Sequence, residues 1–303
     1  MSKNSKGQSV LVVGSTGFLG MEICRQLVNA GKNVKGLVRS TSDRSRVDSL
    51  RQMGVETREG DLKNAASINK ALDGVDAVIS TASSTLSRQE GDSIETVDGT
   101  GQLDLVQAAM DAGVKQFIFI SFRPIHETFS LQTAKRNVEK KLMESKMNYT
   151  ILQPGFFMEV WLTPAVGFDF PNSKVTIYGE GKNKICWVSL VDVAAIAVAS
   201  LDNESAKNAV FRVGGPAAVS PLEVVKIFEN HAGNKFAVEN VPVDALRAQK
   251  AAAGESLSEA FAALMISYAE GDDIDMSETR KVYPFKLNSV MDYVQSLPVG
   301  HEM

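Results

Sequence analysis

Val12-Val13-Gly14-Ser15-Thr16-Gly17-Phe18-Leu19-Gly20 is the stretch whose reading decides the fold. Before it stands Ser9–Val13, a short apolar, β-branched run that reads as a buried strand. After it, Leu19, Ile23, Leu27 and Val28 recur at helical spacing over Phe18–Asn29, until Gly31 stops the helix. A strand-to-helix turn of this kind needs glycine for three reasons. The first permits a tight turn, the second lets backbone approach a pyrophosphate, and the third lets the helix pack close to the sheet. The helix start then offers free N–H groups and a positive dipole end to phosphates. No Lys-Ser or Lys-Thr pair closes the loop, so it is not a Walker loop for nucleoside triphosphates.

Working outward, strands and helices alternate with short links. Val34–Val38 is a strand, Asp43–Met53 a helix capped by Ser42 or Asp43, and Val55–Arg58 a third strand. Asn64–Leu72 is helical, Val75–Ser80 a strand, Ser93–Ala112 one long helix, and Lys115–Ile120 the fifth strand. Ser130–Ser145 is an amphipathic helix and Tyr149–Leu152 a sixth strand. Parallel strands need such crossovers, so the class is α/β: a Rossmann-type doubly wound parallel sheet.

The alternation breaks at Pro154. Residues 1–153 are expected to form the dinucleotide domain and residues 154–303 a smaller mixed substrate domain, with segments near 186–215 returning to the first. In the second half Val175–Tyr178 reads as a strand and Leu190–Leu201 as a very apolar helix. Ala209–Val213 is a further strand of the main sheet, and Pro221–Ala232, Asp244–Ala253, Ser256–Ala269 and Asn288–Ser296 are helices.

Composition excludes several classes. A net charge of −4 with no long Lys/Arg run argues against nucleic acid. No apolar run is long enough for a membrane span, and Met1–Gln8 reads as neither a secretory signal nor a transit peptide. Cys24 in a predicted helix and Cys186 in a predicted strand fit no zinc or redox spacing, so they read as buried thiols and no metal is expected. The expected location is cytoplasmic.

Arg39 decides which dinucleotide. An NAD site carries Asp or Glu at the end of the second strand to receive the ribose hydroxyls; this chain has Val38-Arg39-Ser40. A guanidinium grips a 2′-phosphate that a carboxylate would repel, so the expected cofactor is NADP(H), with Ser40, Arg44 and Arg46 as further donors. The alternative is a solvated arginine face. Asp61, followed by Leu62, can accept from the adenine amino group or cap the helix at Asn64. Thr81, Ala82 and Ser83 follow the fourth strand, where small residues let the cofactor's middle approach the sheet.

The stretch from Val12 to Gly20, Val38-Arg39, Gly60-Asp61-Leu62, Lys135 and Glu139 in Ala134-Lys135-Arg136-Asn137-Val138-Glu139, Pro154-Gly155-Phe156-Phe157-Met158 and Val191-Asp192-Val193-Ala194 carry a resemblance. The chain resembles the short-chain dehydrogenase/reductase superfamily, and most closely its atypical NmrA-like and isoflavone-reductase-like branch. The superfamily's usual Tyr-x-x-x-Lys pair is incomplete: Lys135 matches the lysine, but Leu131 stands where the tyrosine would. The resemblance implies that Lys135 bonds the nicotinamide ribose; otherwise it is one more solvated lysine beside Lys140 and Lys141. It makes Ser121 a substrate-facing serine, with a plain capping role as the alternative. It also sets Pro154, Gly155, Phe156 and Phe157, joined by Met158 and Trp161, along the nicotinamide and substrate side.

His126 is a candidate acid, because histidine as a residue type exchanges protons near neutral pH; a merely exposed loop histidine is the rival reading. Thr128 and Ser130 are weaker relay candidates. Two functions remain open: an NADPH-dependent reductase of a small carbonyl, quinone or activated alkene, with a substrate that is apolar or aromatic, and a non-catalytic NADP(H) sensor acting through a protein partner. A nucleotide-sugar epimerase is disfavoured by Leu131 and Arg39.

Overall fold

The computed structural model of the chain describes residues 7–297 except Ser87. The expectation of no targeting segment at Met1–Gln8 therefore falls mostly outside the described residues. The first half runs β1 (Ser9–Val13), α1 (Phe18–Asn29), β2 (Asn33–Val38), α2 (Arg44–Gln52), β3 (Glu56–Glu59), α3 (Ala65–Ala71) and β4 (Ala77–Ser80). A π-helix, Ile94–Gly101, then leads into α4 (Gln102–Asp111), β5 (Gln116–Ile120), α5 (Ser130–Glu144) and β6 (Asn148–Pro154). The second half holds α6 (Met158–Trp161), β7 (Phe168–Asp169), β8 (Lys174–Tyr178), α7 (Leu190–Ala199), β9 (Ala209–Val213) and α8 (Pro221–Ala232). It ends with β10 (Ala237–Val241), α9 (Val243–Ala251), α10 (Ser256–Glu270), α11 (Ser277–Val282) and α12 (Val290–Ser296).

Seven strands form one sheet in the order β3-β2-β1-β4-β5-β6-β9, and the neighbouring strands from β3 to β6 pair in parallel. The order reverses direction at β1 and β4, the doubly wound arrangement expected, so the carboxyl ends of these two strands frame the position where such sheets take ligands. The central strands are apolar on both faces, as a parallel sheet covered by helices requires. Leu11, Val78, Leu105, Phe117, Phe119, Val138 and Ile151 belong to one buried cluster under α3, α4 and α5.

The chain divides into two compact units. The first comprises residues 1–122, 130–153 and 193–211; the second comprises 123–129, 154–192 and 212–303. Residues 123–129, read from sequence as part of the first domain, cluster instead with the second unit. Two ion pairs join them to it: Arg123 Nε lies 2.5 Å from Asp272 Oδ2, and Lys250 pairs with Glu127. The second unit has its own three-stranded sheet, β10-β8-β7, and a core around Phe168, Ile177, Trp187, Phe228 and Ile266.

Several expectations need correction. The long helix predicted from Ser93 is two helices, a π segment followed by α4, opened by a capping box between Ser93 and Thr96. Cys186 lies outside any strand, next to the isolated bridges that Ile185 makes with Val219 and Asp272. Both cysteines are free and buried, and burial pushes the Cys24 thiol up to about 12. β10 and α11 were not foreseen. Among the described residues no helix is long and apolar enough to cross a membrane.

Candidate functional site

In the first unit the glycine loop has the geometry its sequence demands. Gly14 sits at φ +86°, a left-handed conformation that a side chain resists. A Cβ on Gly20 would come 2.1 Å from Gly14 O, so α1 can approach the turn only because this residue lacks one. Gly17 is the N-cap of α1 and no side chain caps it, which leaves the first-turn N–H groups to a ligand. These are the requirements of a phosphate cradle, and the residues present meet them. Thr16, Gly17 and Leu19 are half-buried and Phe18 is exposed. Ser15 departs from the expectation: it is buried, and its hydroxyl donates to Leu37 O at 2.7 Å, tying the loop to β2.

Arg39 at the end of β2 is an anchored guanidinium rather than part of a solvated face. Its Nη1 donates to Asp92 Oδ2 at 2.6 Å, and Lys63 bonds the other oxygen of the same carboxylate. The Asp92 side chain is only 1% exposed. Burial alone would raise its carboxyl, but the bonds from Lys63 and Arg39 outweigh that and hold it below the usual carboxylate range. Gln89 in the same segment donates to Thr41 O, so residues 89–92 are strapped across the carboxyl ends of β2 and β3. Arg46 also reaches this rim: Nη1 donates to Thr16 O at 2.8 Å and the guanidinium stacks 4.8 Å from the Phe18 ring centre. Ser40 is exposed beside it.

Asp61 does not cap α3. Asn64 does so, accepting from Ser67 N, while Asp61 Oδ1 accepts from Lys63 N at 2.8 Å and Oδ2 pairs with Lys63 Nζ at 3.1 Å. Leu62 is buried in the core cluster. Thr81, Ala82 and Ser83 are half-buried after β4, where a Cβ on Gly14 would meet Thr81 Oγ1 at 2.6 Å and Ala82 N at 2.9 Å. Gly14 must therefore lack a side chain for the turn to pack against this segment.

Lys135 is not a solvated lysine. It lies on α5, 5% exposed, with Nζ 3.4 Å from Asp98 Oδ1 and 5.0 Å from the centre of the Phe119 ring. Ser121 at the end of β5 is buried, and its Oγ accepts from Arg136 Nη2 at 3.1 Å, so its own proton is not spent on that bond. Glu139, part of the α5 motif, is structural: it pairs with Arg136 at 3.0 Å and accepts from Gln153 Nε2. Burial lowers the Arg136 guanidinium from its ordinary value.

The second unit has a cavity of about 510 Å³ lined by Arg123, His126, Arg212, Ser267, Asp272 and Ile274, among others. His126 is exposed at its edge. Arg123 is fixed by Asp272 and by Ser267 Oγ at 2.9 Å, with its guanidinium 5.8 Å from the Phe156 ring centre. Burial pushes the Asp272 carboxyl up, and Arg123 partly offsets that. Phe156, expected to wall the ligand, is instead a core residue, 5% exposed, set edge-on to Trp161 and Tyr268. Met158 is likewise buried, which leaves Phe157, half-buried beside Val188, as the accessible aromatic of the Pro154–Met158 segment. Pro154 is buried and Gly155 half-buried; Thr128 is exposed and Ser130 half-buried. The cavity's ionic lining differs from the apolar wall that the aromatics had suggested. Among the described residues no cluster of His, Cys, Asp and Glu could hold a metal.

Sequence reasoning missed Asp92, Asp98, Ser84 and Arg136. Asp98 and Asp92 have no local signal, since an isolated acid beside helical polar residues reads as solvated surface.

Fold and loop together define a Rossmann-type dinucleotide-binding protein. A model of the NmrA-like family matches residues 6–294, and the chain belongs to that family. It is 32% identical over 240 residues to the photosystem II assembly factor Ycf39 of Synechocystis, covering 78% of this chain and 72% of that protein. It is 31% identical over 258 residues to the NAD(P)H azoreductase of Xenophilus azovorans, covering 84% of each. The NADPH-dependent quinone oxidoreductase QOR2 of Escherichia coli, solved with NADPH, shares the fold at a TM-score of 0.75 and 22% identity, over 94% of this chain and 98% of that one.

Proposed function

We propose that the protein is an NADPH-dependent reductase that passes hydride to a small carbonyl, quinone or activated alkene. The observation that carries this reading is Lys135, a buried ammonium whose one carboxylate partner among the described residues stands at the long distance of 3.4 Å. Its N–H groups are therefore available to the ribose hydroxyls that the resemblance assigns to it. The loop Gly14–Gly20 and the uncapped start of α1 hold the pyrophosphate, Arg39 with Lys63 and Arg46 faces the 2′-phosphate, and Thr81 and Ala82 receive the cofactor's middle. The cofactor, when bound, supplies the hydride. The chain's own residues orient it, and Lys135 sets a positive charge beside the ribose as negative charge develops on the acceptor.

Leu131 donates no proton. Ser121, whose hydroxyl proton is not spent on Arg136, and the exposed His126 are the donors this reading retains. A quinone needs less help from a positioned acid than a ketone does, which favours quinone-like acceptors. The likeness to an NAD(P)H azoreductase supports a reductase.

A second reading, a non-catalytic NADP(H) sensor acting on a protein partner, is favoured by Leu131 and by the likeness to the assembly factor. NADPH consumption by purified protein, measured across quinones, aldehydes, ketones and enones beside Lys135→Met, separates the two. Turnover that the substitution abolishes supports the reductase; no turnover from protein that binds NADPH supports the sensor.

A further inference from the structure

The carboxylate facing Lys135 belongs to a residue that no motif marks. Asp98 lies in the π-helix Ile94–Gly101 and is fully buried. Its Oδ2 accepts twice from one residue, from Ser84 N at 2.9 Å and from Ser84 Oγ at 2.8 Å. Its Oδ1 has no hydrogen-bond partner among the described residues and faces only Lys135 Nζ, 3.4 Å away. A buried carboxylate left with one oxygen unbonded is costly, and proteins rarely keep one without use. A π-helical segment inside an otherwise α-helical stretch is likewise uncommon and is often found at functional sites.

Resting on the cofactor reading above, we propose that Asp98 is the positioning residue for Lys135. The two bonds from Ser84 fix the carboxylate plane, so Oδ1 presents its charge to the ammonium. That charge balances Lys135 within its buried surroundings, and the long separation leaves the ammonium's N–H groups to point at ribose hydroxyls. Ser84 directly follows Thr81–Ser83, so the segment expected under the cofactor's middle is joined through Asp98 to the lysine expected on its nicotinamide ribose. The Gln102 side chain braces the same segment, accepting from Ser80 Oγ at 2.9 Å and donating to Ala82 O at 2.9 Å.

The test is a double-mutant cycle read by NADPH affinity, from the change in nucleotide fluorescence on binding, with thermal unfolding as a check on folding. Asp98→Asn keeps the shape and the Ser84 contact but removes the charge. We expect it to weaken NADPH about tenfold in the wild-type background and to cost nothing further in Lys135→Met, because it acts only through that lysine. Equal losses in both backgrounds would overturn the proposal and leave Asp98 a structural residue. Should Lys135→Met fail to fold around its unpaired carboxylate, Ser84→Ala takes its place in the comparison: a loss of affinity in the wild type that disappears in Asp98→Asn/Lys135→Met is expected, and a loss that persists there would overturn the proposal. Wild-type protein that binds no NADPH would sink the cofactor reading itself, a different result from a cycle in which NADPH binds and the losses add.

Discussion

Arg39 Nη1 meets Asp92 Oδ2 at 2.6 Å, across 53 residues of chain, and Lys63 holds the other oxygen of the same carboxylate. A cation at the end of the second strand is thus held in place by a partner at the far end of the loop after the fourth strand. The pair turns a surface arginine into a fixed one, and a fixed guanidinium recognises a phosphate with less lost entropy than a free one.

Arg39→Ala should weaken NADPH by roughly 10- to 100-fold, the worth of one charge-assisted phosphate contact. NADH, which lacks the 2′-phosphate, should bind within about threefold of its wild-type affinity. Parallel titrations of both nucleotides against both proteins check this.

The same pair has a pH signature. Asp92 is held below its ordinary value of 3.8, so the folded state binds its proton more weakly than the unfolded state does. Its contribution to stability is therefore present above the unfolded pKa and is lost as pH falls through the lower folded value. Thermal unfolding of wild type and Asp92→Asn should differ most near about pH 6 and converge towards about pH 3. A gap that stays constant over that range would show that the carboxylate's charge is not what matters.

Ser15→Ala should separate packing from recognition. Its buried hydroxyl bonds Leu37 O, so the substitution should cost stability of about 1 kcal/mol and leave NADPH affinity nearly unchanged. A large fall in affinity with unchanged stability would return the hydroxyl to the cofactor.

How far these features were legible before the structure depends on how local their causes are. α1 spans Phe18–Asn29 and α8 spans Pro221–Ala232, as read, because a glycine turn before the one and a serine cap with proline before the other are written in adjacent residues. The π-helix was invisible, since its hydrophobic spacing over a short stretch matches an ordinary helix. β10 was missed because four of its five residues are exposed and no alternation marks them. Within the site, the glycines and Arg39 were legible by position. Asp92 and Asp98 were not, because what makes each notable is a cation 53 or 37 residues away in sequence. Phe156 was misread since an aromatic after a strand looks the same whether it faces a ligand or Trp161 and Tyr268.

In the second unit, Arg123→Met should leave Asp272 buried without its ion-pair partner, with only the more distant Arg212 to offset its charge. The expected cost is about 3–5 kcal/mol, seen as a clear fall in thermal midpoint. Adding Asp272→Asn should recover most of it, as both charges are then gone. If the double variant is no more stable than Arg123→Met, the pair is not what ties residues 123–129 to that unit.

The most direct measurement for the account is a titration of the purified protein with NADPH and with NADH, followed by nucleotide fluorescence. The account predicts saturable binding of NADPH at least about tenfold tighter than NADH, as one phosphate contact by Arg39 requires. Equal affinity for the two, or binding of neither, would contradict it.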